Sequence, residues 1–370
     1  MVSARRRAGG ATTVTPPPAR RELTGRRRRA EARRRAEERR AEETEHRGLP
    51  TVTVVMAVAA LAALVAGIAL YTGFLTPPGT SAPASPVASL QRLVRAESAD
   101  VTVAGGSGWV VDDRAGTIRR FDPSSGAWTG RPVHVAQRPV AVAAGFGRIW
   151  VADAVGDTVV EVDPATGRRI GAPVSVGGEP VSLATGAGGV WVASLAAATV
   201  TLVNPRTRAV TASVALPPRV GAVRVAVGDG AVWVTGVNDT LTRISPAPVG
   251  VSLSWKPVVV GNGPIGVTAV PGAVWVADAV GGTVTRVDPR RDVVRARYRV
   301  GGDPVQLAVF DGELWVADGE TGALRALDPA TGRPEGRTVT LPGSVRRLVV
   351  TGAGLWAATA NPGTVTAVTP

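Results

Sequence analysis

Tryptophan recurs along this chain at an almost constant interval, and that interval constrains the fold more than any other feature. Seven tryptophans lie 40 to 42 residues apart, by subtraction of their numbers: Trp109, Trp150, Trp191, Trp233, Trp275, Trp315 and Trp356. Each lies in a short apolar run, and the run IWVAD at 149–153 reappears as VWVAD at 274–278. A repeat of about 40 residues made of short β-like segments is typical of folds that arrange similar units around an axis.

Each repeat reads as four short strands, which we name a to d. In the second repeat they are predicted over 140–143, 148–153, 158–163 and 173–176. The Asp-Pro-Ala-Thr-Gly turn at 163–167 joins strands c and d, and the Asp-Pro pair recurs thirteen residues after most of the tryptophans. The absence of an amphipathic helix between the strands excludes a parallel α/β sheet. Seven such units, apolar on both faces, bury themselves by stacking in a ring, so the sequence predicts an all-β, seven-bladed β-propeller of four-stranded antiparallel blades.

The two ends of the repeat region complement each other. The seventh repeat stops after its third strand, at 365–368, and lacks strand d. The apolar segment near 90–94 precedes the first strand a and is predicted to supply the missing strand. Closing one blade with both chain ends removes the exposed edges that an open sheet must protect. The propeller is therefore predicted to span 90–370.

Three segments of different composition precede the repeats. Residues 1–49 carry fifteen arginines against seven glutamates, which predicts a charged cytoplasmic arm, largely disordered or partly helical. Residues 50–75 are apolar and long enough to cross a bilayer, and 76–89 form a linker rich in proline, serine and alanine. Arginines ahead of the span predict an uncleaved signal-anchor in the cell membrane, with the N-terminus inside and the propeller extracytoplasmic. A cleaved signal peptide, the alternative, has a shorter charged region and a shorter apolar core.

The net charge and the cysteine content limit which partners and which kinds of site the chain can have. The formal charge of the chain is +13, and the excess in the arm predicts contact with anionic lipid at the membrane. A second hypothesis is that the arm contacts DNA or a kinase, with the propeller as the sensor half of a signalling complex. Nucleic acid is not expected as a partner of an extracytoplasmic propeller. The chain has no cysteine, which excludes disulfides, thiolate metal sites, a cysteine nucleophile and a lipid-modified cysteine.

Positions that recur in every blade are expected to be structural, whereas positions that differ are candidates for function. The tryptophans are expected to pack between blades, and the aspartates three residues after them to accept hydrogen bonds in the b–c turns. These aspartates are Asp112, Asp153, Asp278 and Asp318.

Strand a is predicted to lie innermost, and nine residues before each tryptophan most repeats carry the small side chain that convergence near the axis requires. Four members of this inner row are larger and polar: Asp100, Arg224, Gln306 and Arg347. The loops that lead from strand d into strand a carry Arg138, Glu179, Arg219 and Asp303. Because the seventh and first blades are neighbours, Arg347 is predicted to pair with Asp100. Together these residues predict a slightly cationic funnel mouth that binds a polar or anionic ligand, such as a glycan, peptide or lactone. The alternative is a water-filled channel whose ion pairs only tie blades together.

The repeat pattern Gly-x-(Val/Leu/Ile)-Trp-Val-Ala-Asp … Gly-Thr-Val-x-x-Val-Asp-Pro-x-Thr-Gly, over about 95–370, resembles the YVTN and NHL-like propeller repeats. It is also similar to the repeats of the streptogramin (virginiamycin B) lyase family. The latter resemblance implies a histidine general base and a magnesium site in the funnel. The only histidines are His46, ahead of the apolar segment, and His134, on the predicted outer strand of the first blade. Neither matches the family's catalytic histidine, so we predict no catalytic residue, metal or cofactor.

These observations favour a membrane-anchored extracytoplasmic propeller that binds an unknown protein, a cell-wall glycan or a small polar ligand, as a scaffold or sensor. The alternative is a streptogramin-lyase-like or lactonase-like enzyme that uses the same funnel. The same blades serve both kinds of protein, so the fold alone does not separate them.

Overall fold

The computed structural model describes residues 89–95, 100–217, 221–246, 251–253, 257–351, 354–360 and 363–369. This part of the chain is made of strands and turns, and it contains no helix that is long and apolar enough to cross a membrane. The predicted arm, membrane segment and most of the linker, up to residue 88, lie outside the described residues.

The strands, numbered in chain order, are β1 (Ser89–Arg95), β2 (Asp100–Ala104), β3 (Ser107–Asp112), β4 (Thr117–Phe121), β5 (Val133–His134), β6 (Pro139–Gly145), β7 (Arg148–Asp153), β8 (Thr158–Val162), β9 (Arg169–Ser175), β10 (Pro180–Gly186), β11 (Gly189–Ser194), β12 (Thr199–Asn204), β13 (Ala209–Ala215), β14 (Ala222–Gly228), β15 (Ala231–Gly236), β16 (Thr240–Pro246), β17 (Val251–Leu253), β18 (Val258–Val259), β19 (Pro264–Val270), β20 (Ala273–Asp278), β21 (Thr283–Asp288), β22 (Val293–Arg299), β23 (Pro304–Phe310), β24 (Glu313–Asp318), β25 (Ala323–Leu327), β26 (Pro334–Thr340), β27 (Ser344–Thr351), β28 (Gly354–Ala360) and β29 (Thr364–Thr369). They form seven antiparallel sheets, and each sheet is one blade of the predicted propeller.

Both ends of the chain's described part meet in the seventh blade. Its strand order is β1-β29-β28-β27, so strand β1 occupies the outermost position, d. Strand β1 runs antiparallel to β29, with Leu90 opposite Val368 and Val94 opposite Val365. The first and last strands of the propeller thus pair with each other, and the ring is closed by backbone hydrogen bonds.

The core is divided among the interfaces between blades, with a tryptophan at each. All seven repeated tryptophans are at most 2% exposed. Trp150 of blade 2 packs with Leu183 and Val192 of blade 3, and Trp356 of blade 7 packs with Val101 of blade 1. Each tryptophan therefore ties its blade to the next one, and the last tryptophan ties the seventh blade to the first.

Four of the seven indole N–H groups have a backbone partner five residues earlier in the chain. Trp150 donates to the carbonyl of Gly145 at 3.2 Å, and Trp109, Trp191 and Trp233 make the equivalent bond. This bond holds the indole across the a–b hairpin of its own blade while the ring reaches the next blade. Trp275, Trp315 and Trp356 have a buried Nε1 without a hydrogen-bond partner among the described residues, so the property that all seven share is the large apolar body.

Blade 4 departs from the regular four-stranded pattern. Its third strand, β16, pairs with two short strands, β17 and β18, instead of one strand d. Proline occupies positions 246, 248 and 257, and a residue without an N–H interrupts a ladder of backbone hydrogen bonds. This is also the repeat in which the Asp-Pro pair is replaced by Ser245–Pro246 and shifted by one residue.

Candidate functional site

At one end of the ring, the loops that lead from strand d into the next strand a lie beside the turns that join strands b and c. A repeated backbone hydrogen bond connects the two. In five blades the first residue of the b–c turn donates its backbone N–H to the carbonyl of the residue just before strand a. The donor–acceptor pairs are Ala154–Arg138, Leu195–Glu179, Val237–Gly221, Ala279–Gly263 and Gly319–Asp303, at 2.7 to 3.1 Å. The bond places Arg138, Glu179 and Asp303 at one level, which we call the mouth. Arg219 lies outside the described residues, and Gly221 takes the equivalent position in blade 4.

At the mouth, charged side chains from neighbouring blades are close together. Arg138 Nη2 lies 3.3 Å from Glu179 Oε1, with side chains 46% and 39% exposed, so this ion pair contributes little to stability. On another side of the mouth, burial and the neighbouring carboxylates of Asp318 and Glu320 raise the pKa of Asp303. The mouth therefore carries both signs of charge, on side chains that remain accessible.

The aspartates of the repeat serve the backbone around the mouth. Asp153 accepts N–H bonds from Gln137 and Arg138 at 2.8 and 2.9 Å, and from the turn residue Gly156 at 3.1 Å. Burial acts to raise the pKa of Asp153, but these bonds outweigh it, and the pKa is lowered. Asp112 and Asp318 likewise accept turn N–H groups. All three carboxylates thus accept hydrogen bonds that order the turns.

Asp278 uses its carboxylate differently from the other three aspartates. It accepts from Gly261 N–H and from the hydroxyls of Thr283 and Thr285, at 2.6 to 3.0 Å. Its side chain is fully buried, and that burial raises its pKa. Asp278 thus joins the loop before strand a to strand c.

Below the mouth, Asp100 links three blades. Its carboxylate accepts the N–H of Val101 at 2.8 Å and that of Val142, in blade 2, at 3.0 Å. Arg347 Nε, in blade 7, lies 3.2 Å from Asp100 Oδ1. The two groups form an ion pair, but the geometry of the Nε–H is not that of a hydrogen bond. Asp100 is 2% exposed, so the pair is shielded from water. The pair holds blades 7, 1 and 2 together at the axis.

Arg224, on the opposite side of the ring, interacts electrostatically with this pair. It belongs to blade 4, three blades away from both blade 7 and blade 1. Burial and, to a smaller extent, the charge of Arg347 lower its pKa to about 10, while the charge of Asp100 acts in the opposite sense. Its Nε is buried without a hydrogen-bond partner, and no carboxylate among the described residues forms an ion pair with it. Two guanidinium groups thus share one carboxylate, which leaves one positive charge uncompensated.

The remaining members of the inner row are small or neutral. Gln306 is buried, and the Ser182 hydroxyl accepts the N–H of Val225 in the next blade at 3.2 Å. At Gly266 any Cβ atom would lie 2.6 Å from the carbonyl oxygen of Val305, so only glycine fits there. Asp100 and Ser182 of the inner row thus make the same kind of contact, each accepting a backbone N–H from the following blade.

A central cavity of about 440 Å³ lies on the side of the inner row away from the mouth. All seven innermost strands line it, mostly with valine, alanine, leucine and threonine. Gln306 and Arg347 line the end of the cavity next to the inner row, and Thr185, Val350 and Thr351 lie toward the strand ends. Its volume is in the range of small-molecule sites, which are mostly apolar with a few polar groups.

The described residues offer little for the chemistry that the lyase resemblance implies. They contain no group of three histidine, aspartate or glutamate side chains placed to hold a metal ion. His134 lies on β5, the outermost strand of blade 1, and is exposed to solvent. The donors for a magnesium site are therefore not assembled in this part of the chain.

The sequence did not predict the central cavity or the electrostatic interaction between Arg224 and Arg347. The wall consists of apolar residues that look like ordinary core in the sequence. Arg224 was distinguishable as a long cation in a row of small residues, but its approach to Arg347 depends on how narrow the ring is.

Comparisons with known proteins point to the fold. No protein-family model matches the sequence, and no curated protein matches it. The structure is similar to virginiamycin B lyase from Staphylococcus aureus, with a TM-score of 0.64 and 14% identity over 76% of this chain and 99% of that one. A streptogramin B lyase structure gives a TM-score of 0.59 and 15% identity over 77% and 95%. The WD40 β-propeller domain of Doa1 gives 0.63 and 14% over 75% and 96%. An enzyme and a WD40 domain are thus matched equally well, which supports the propeller fold and not one activity.

Proposed function

We propose that this chain is a membrane-anchored binding protein whose propeller lies outside the cytoplasm and captures a ligand or partner at the mouth, as a scaffold or sensor. The observation that supports this most is the convergence of the non-repeating charged residues at one end of the channel. Arg138, Glu179 and Asp303 differ from blade to blade, yet one repeated hydrogen bond sets them at the same level. Such variation on a regular scaffold is how repeat folds acquire binding sites.

Binding is favoured over catalysis because the buried carboxylates near the axis and in the b–c turns are committed to structure. Asp153 and Asp318 accept backbone hydrogen bonds, and Asp100 is bonded to two N–H groups and paired with Arg347. A general base needs a free lone pair within reach of its substrate. The alternative, a lyase or lactone hydrolase in the same channel, is supported by the likeness to virginiamycin B lyase. Turnover of a streptogramin or a lactone by the purified full chain would establish that alternative.

The mouth is tested with the double variant Arg138→Ala/Asp303→Ala of the full chain. Both side chains are accessible, so the fold should survive their removal. We expect weaker binding to arrayed cell-wall glycans and cell-surface peptides. The matched control is Arg291→Ala, which removes an exposed arginine from a c–d turn, away from the mouth. Equal binding by the double variant and the control would refute the mouth as the binding site.

The predicted topology is tested separately by cysteine labelling, because the natural chain contains no cysteine. Ser125→Cys places one thiol in an exposed turn of blade 1, and Ser3→Cys places one in the arm. A membrane-impermeant maleimide applied to intact cells should label the Ser125→Cys variant and spare the Ser3→Cys variant until lysis. Labelling of the arm alone in intact cells would reverse the proposed orientation.

A further inference from the structure

We propose that the propeller docks on an anionic lipid surface through the end opposite the mouth, so that the mouth points away from the bilayer. We call this end the base, and it consists of the a–b hairpins and the c–d turns. Gly105 in the a–b hairpin of blade 1 lies against Pro164 in the c–d turn of blade 2. The inference rests on the proposed membrane anchoring and deepens it, because it names a second interaction surface and its partner.

The chain enters the propeller at the base. Strand c of each blade runs from the mouth to the base, and β1 begins at Ser89, opposite Thr369 at the base end of β29. The thirteen residues 76–88 separate Ser89 from the predicted membrane segment. Even a fully extended linker of this length spans no more than about 45 Å. An anchor ahead of it therefore keeps the base, and not the mouth, within reach of the bilayer.

Exposed arginines outnumber exposed carboxylates at the base. The eight exposed arginines are Arg148, Arg168, Arg169, Arg206, Arg290, Arg291, Arg295 and Arg333. Arg148, Arg291 and Arg295 pair with carboxylates of the same end, and the other five form no ion pair with a described residue. The exposed carboxylates of the base are Asp229, Asp311 and Glu335. The aspartates that open four of the c–d turns are half-buried and accept N–H groups of their own turn. The arginines are thus the charges that project furthest, where they can contact anionic headgroups.

The mouth carries the opposite charge. Its b–c turns and d–a loops include two exposed arginines among the described residues, Arg114 and Arg138. Seven carboxylates of the same turns and loops are exposed or half-buried: Asp112, Asp113, Asp157, Glu179, Asp239, Asp303 and Glu320. The d–a loops and the inner row alone predict a slightly cationic mouth, but the b–c turns add these acidic residues at the same end. An anionic surface repels the mouth and attracts the base, so the charges and the entry point of the chain favour the same orientation.

The test measures which end of the propeller faces the bilayer. Because the natural chain has no cysteine, one dye can be attached at either end of blade 3, through Thr207→Cys in the c–d turn or Ala196→Cys in the b–c turn. Each labelled full chain is placed in lipid nanodiscs whose headgroups carry an acceptor dye, and energy transfer reports the distance between the dye and the bilayer. The nanodiscs contain phosphatidylcholine alone, or phosphatidylcholine with about one-third phosphatidylglycerol.

Two sets of substitutions separate the charge of the base from the charge of the whole chain. The charge variant, Arg168→Gln/Arg290→Gln/Arg333→Gln, removes three exposed arginines from the c–d turns of blades 2, 5 and 6. The matched control, Arg114→Gln/Arg299→Gln/Arg346→Gln, removes three exposed arginines at the mouth end. Both lower the net charge by the same amount.

With phosphatidylglycerol, the dye at position 207 should lie roughly 20 Å nearer the bilayer than the dye at position 196, which is the length of the six-residue strand β12 between them. This difference should fall to less than about half in phosphatidylcholine alone, in about 0.5 M salt and in the charge variant. The control should keep the full difference.

Equal distances for the two dyes, or a shorter distance for the dye at position 196, would overturn the inference. A difference that neither salt nor the charge variant reduces would also overturn it, because the arginines would then play no part. Failure of the proposed anchoring gives a separate result, since a chain that does not enter nanodiscs refutes both proposals. A chain that enters nanodiscs without a preferred orientation leaves the anchoring standing and removes only the docking surface.

Discussion

Replacing Arg224 by methionine should make the protein more stable. Arg224 carries a charge that burial and the charge of Arg347 both disfavour. A pKa lowered from the ordinary value of 12.5 to about 10 corresponds to roughly 3 kcal/mol of disfavoured charge, at about 1.4 kcal/mol per pH unit. Methionine keeps most of the apolar stem and removes the charge. Because packing around the new thioether will not be ideal, we expect a gain of about 1 to 3 kcal/mol in the free energy of unfolding.

The pH dependence of that gain follows from the direction of the pKa shift. The pKa of Arg224 is lower in the folded protein than in the unfolded chain, so the unfolded chain holds the proton more tightly. The destabilisation is therefore fully present at neutral pH and declines only as pH rises above about 10, where folded Arg224 begins to lose its proton. The stability difference between Arg224→Met and the natural chain should be constant from pH 7 to 9 and shrink from about pH 10 upward.

Urea unfolding of the two proteins, followed by tryptophan fluorescence, measures this difference. A domain of this size should also show a rise in melting temperature of about 2 °C per kcal/mol. Arg286→Met serves as the control, because Arg286 also has a buried Nε without a hydrogen-bond partner. Its guanidinium stacks on Trp275 at 5.7 Å, so its removal should not raise the free energy of unfolding. Destabilisation of Arg224→Met, or the same gain in both variants, would refute the reasoning that an uncompensated charge lies in the channel.

Three further predictions concern the closed ring. Asp100→Ala should lower the free energy of unfolding by about 3 to 5 kcal/mol, because it leaves Arg347 unpaired and the Val142 N–H unbonded. Urea unfolding measures this loss, and a value below about 1 kcal/mol would contradict the prediction. Trp233→Ala should cost about 3 to 5 kcal/mol by opening a cavity between blades, and Trp128→Ala, outside the repeat and only partly buried, should cost clearly less in the same assay. Gln91 of β1 lies opposite Ala367 of β29, so the double variant Gln91→Cys/Ala367→Cys should form a disulfide on oxidation and melt at a higher temperature. Two free thiols after oxidation, seen by mass spectrometry, would count against closure of the ring by the chain ends.

The repeat interval alone predicts most of the fold. A tryptophan every 40 to 42 residues, with turn residues at fixed offsets, leads to seven four-stranded blades, and the structure has seven. The truncated last repeat indicates where the outermost strand must come from, and Ser89–Arg95 occupies that position. These features are local or follow from counting, so a sequence carries them directly.

The site is less predictable because it depends on distances across the axis. The sequence distinguishes Arg224 and Arg347 as long cations in a row of small residues, and neighbouring blades suggest the Asp100–Arg347 pair. No repeat pattern reveals that the charge of Arg224 interacts with that pair from three blades away, since this depends on the width of the channel. The repeat pattern also did not predict the two short strands, β17 and β18, at the outer edge of blade 4.

The most direct test of an uncompensated positive charge in the channel is an anomalous difference map from crystals of the protein soaked in bromide. If that charge is uncompensated, an ordered bromide should lie beside the guanidinium of Arg224 and disappear in Arg224→Met crystals. Bromide found only at exposed arginines of the outer rim, with none in the channel of the natural protein, would contradict it.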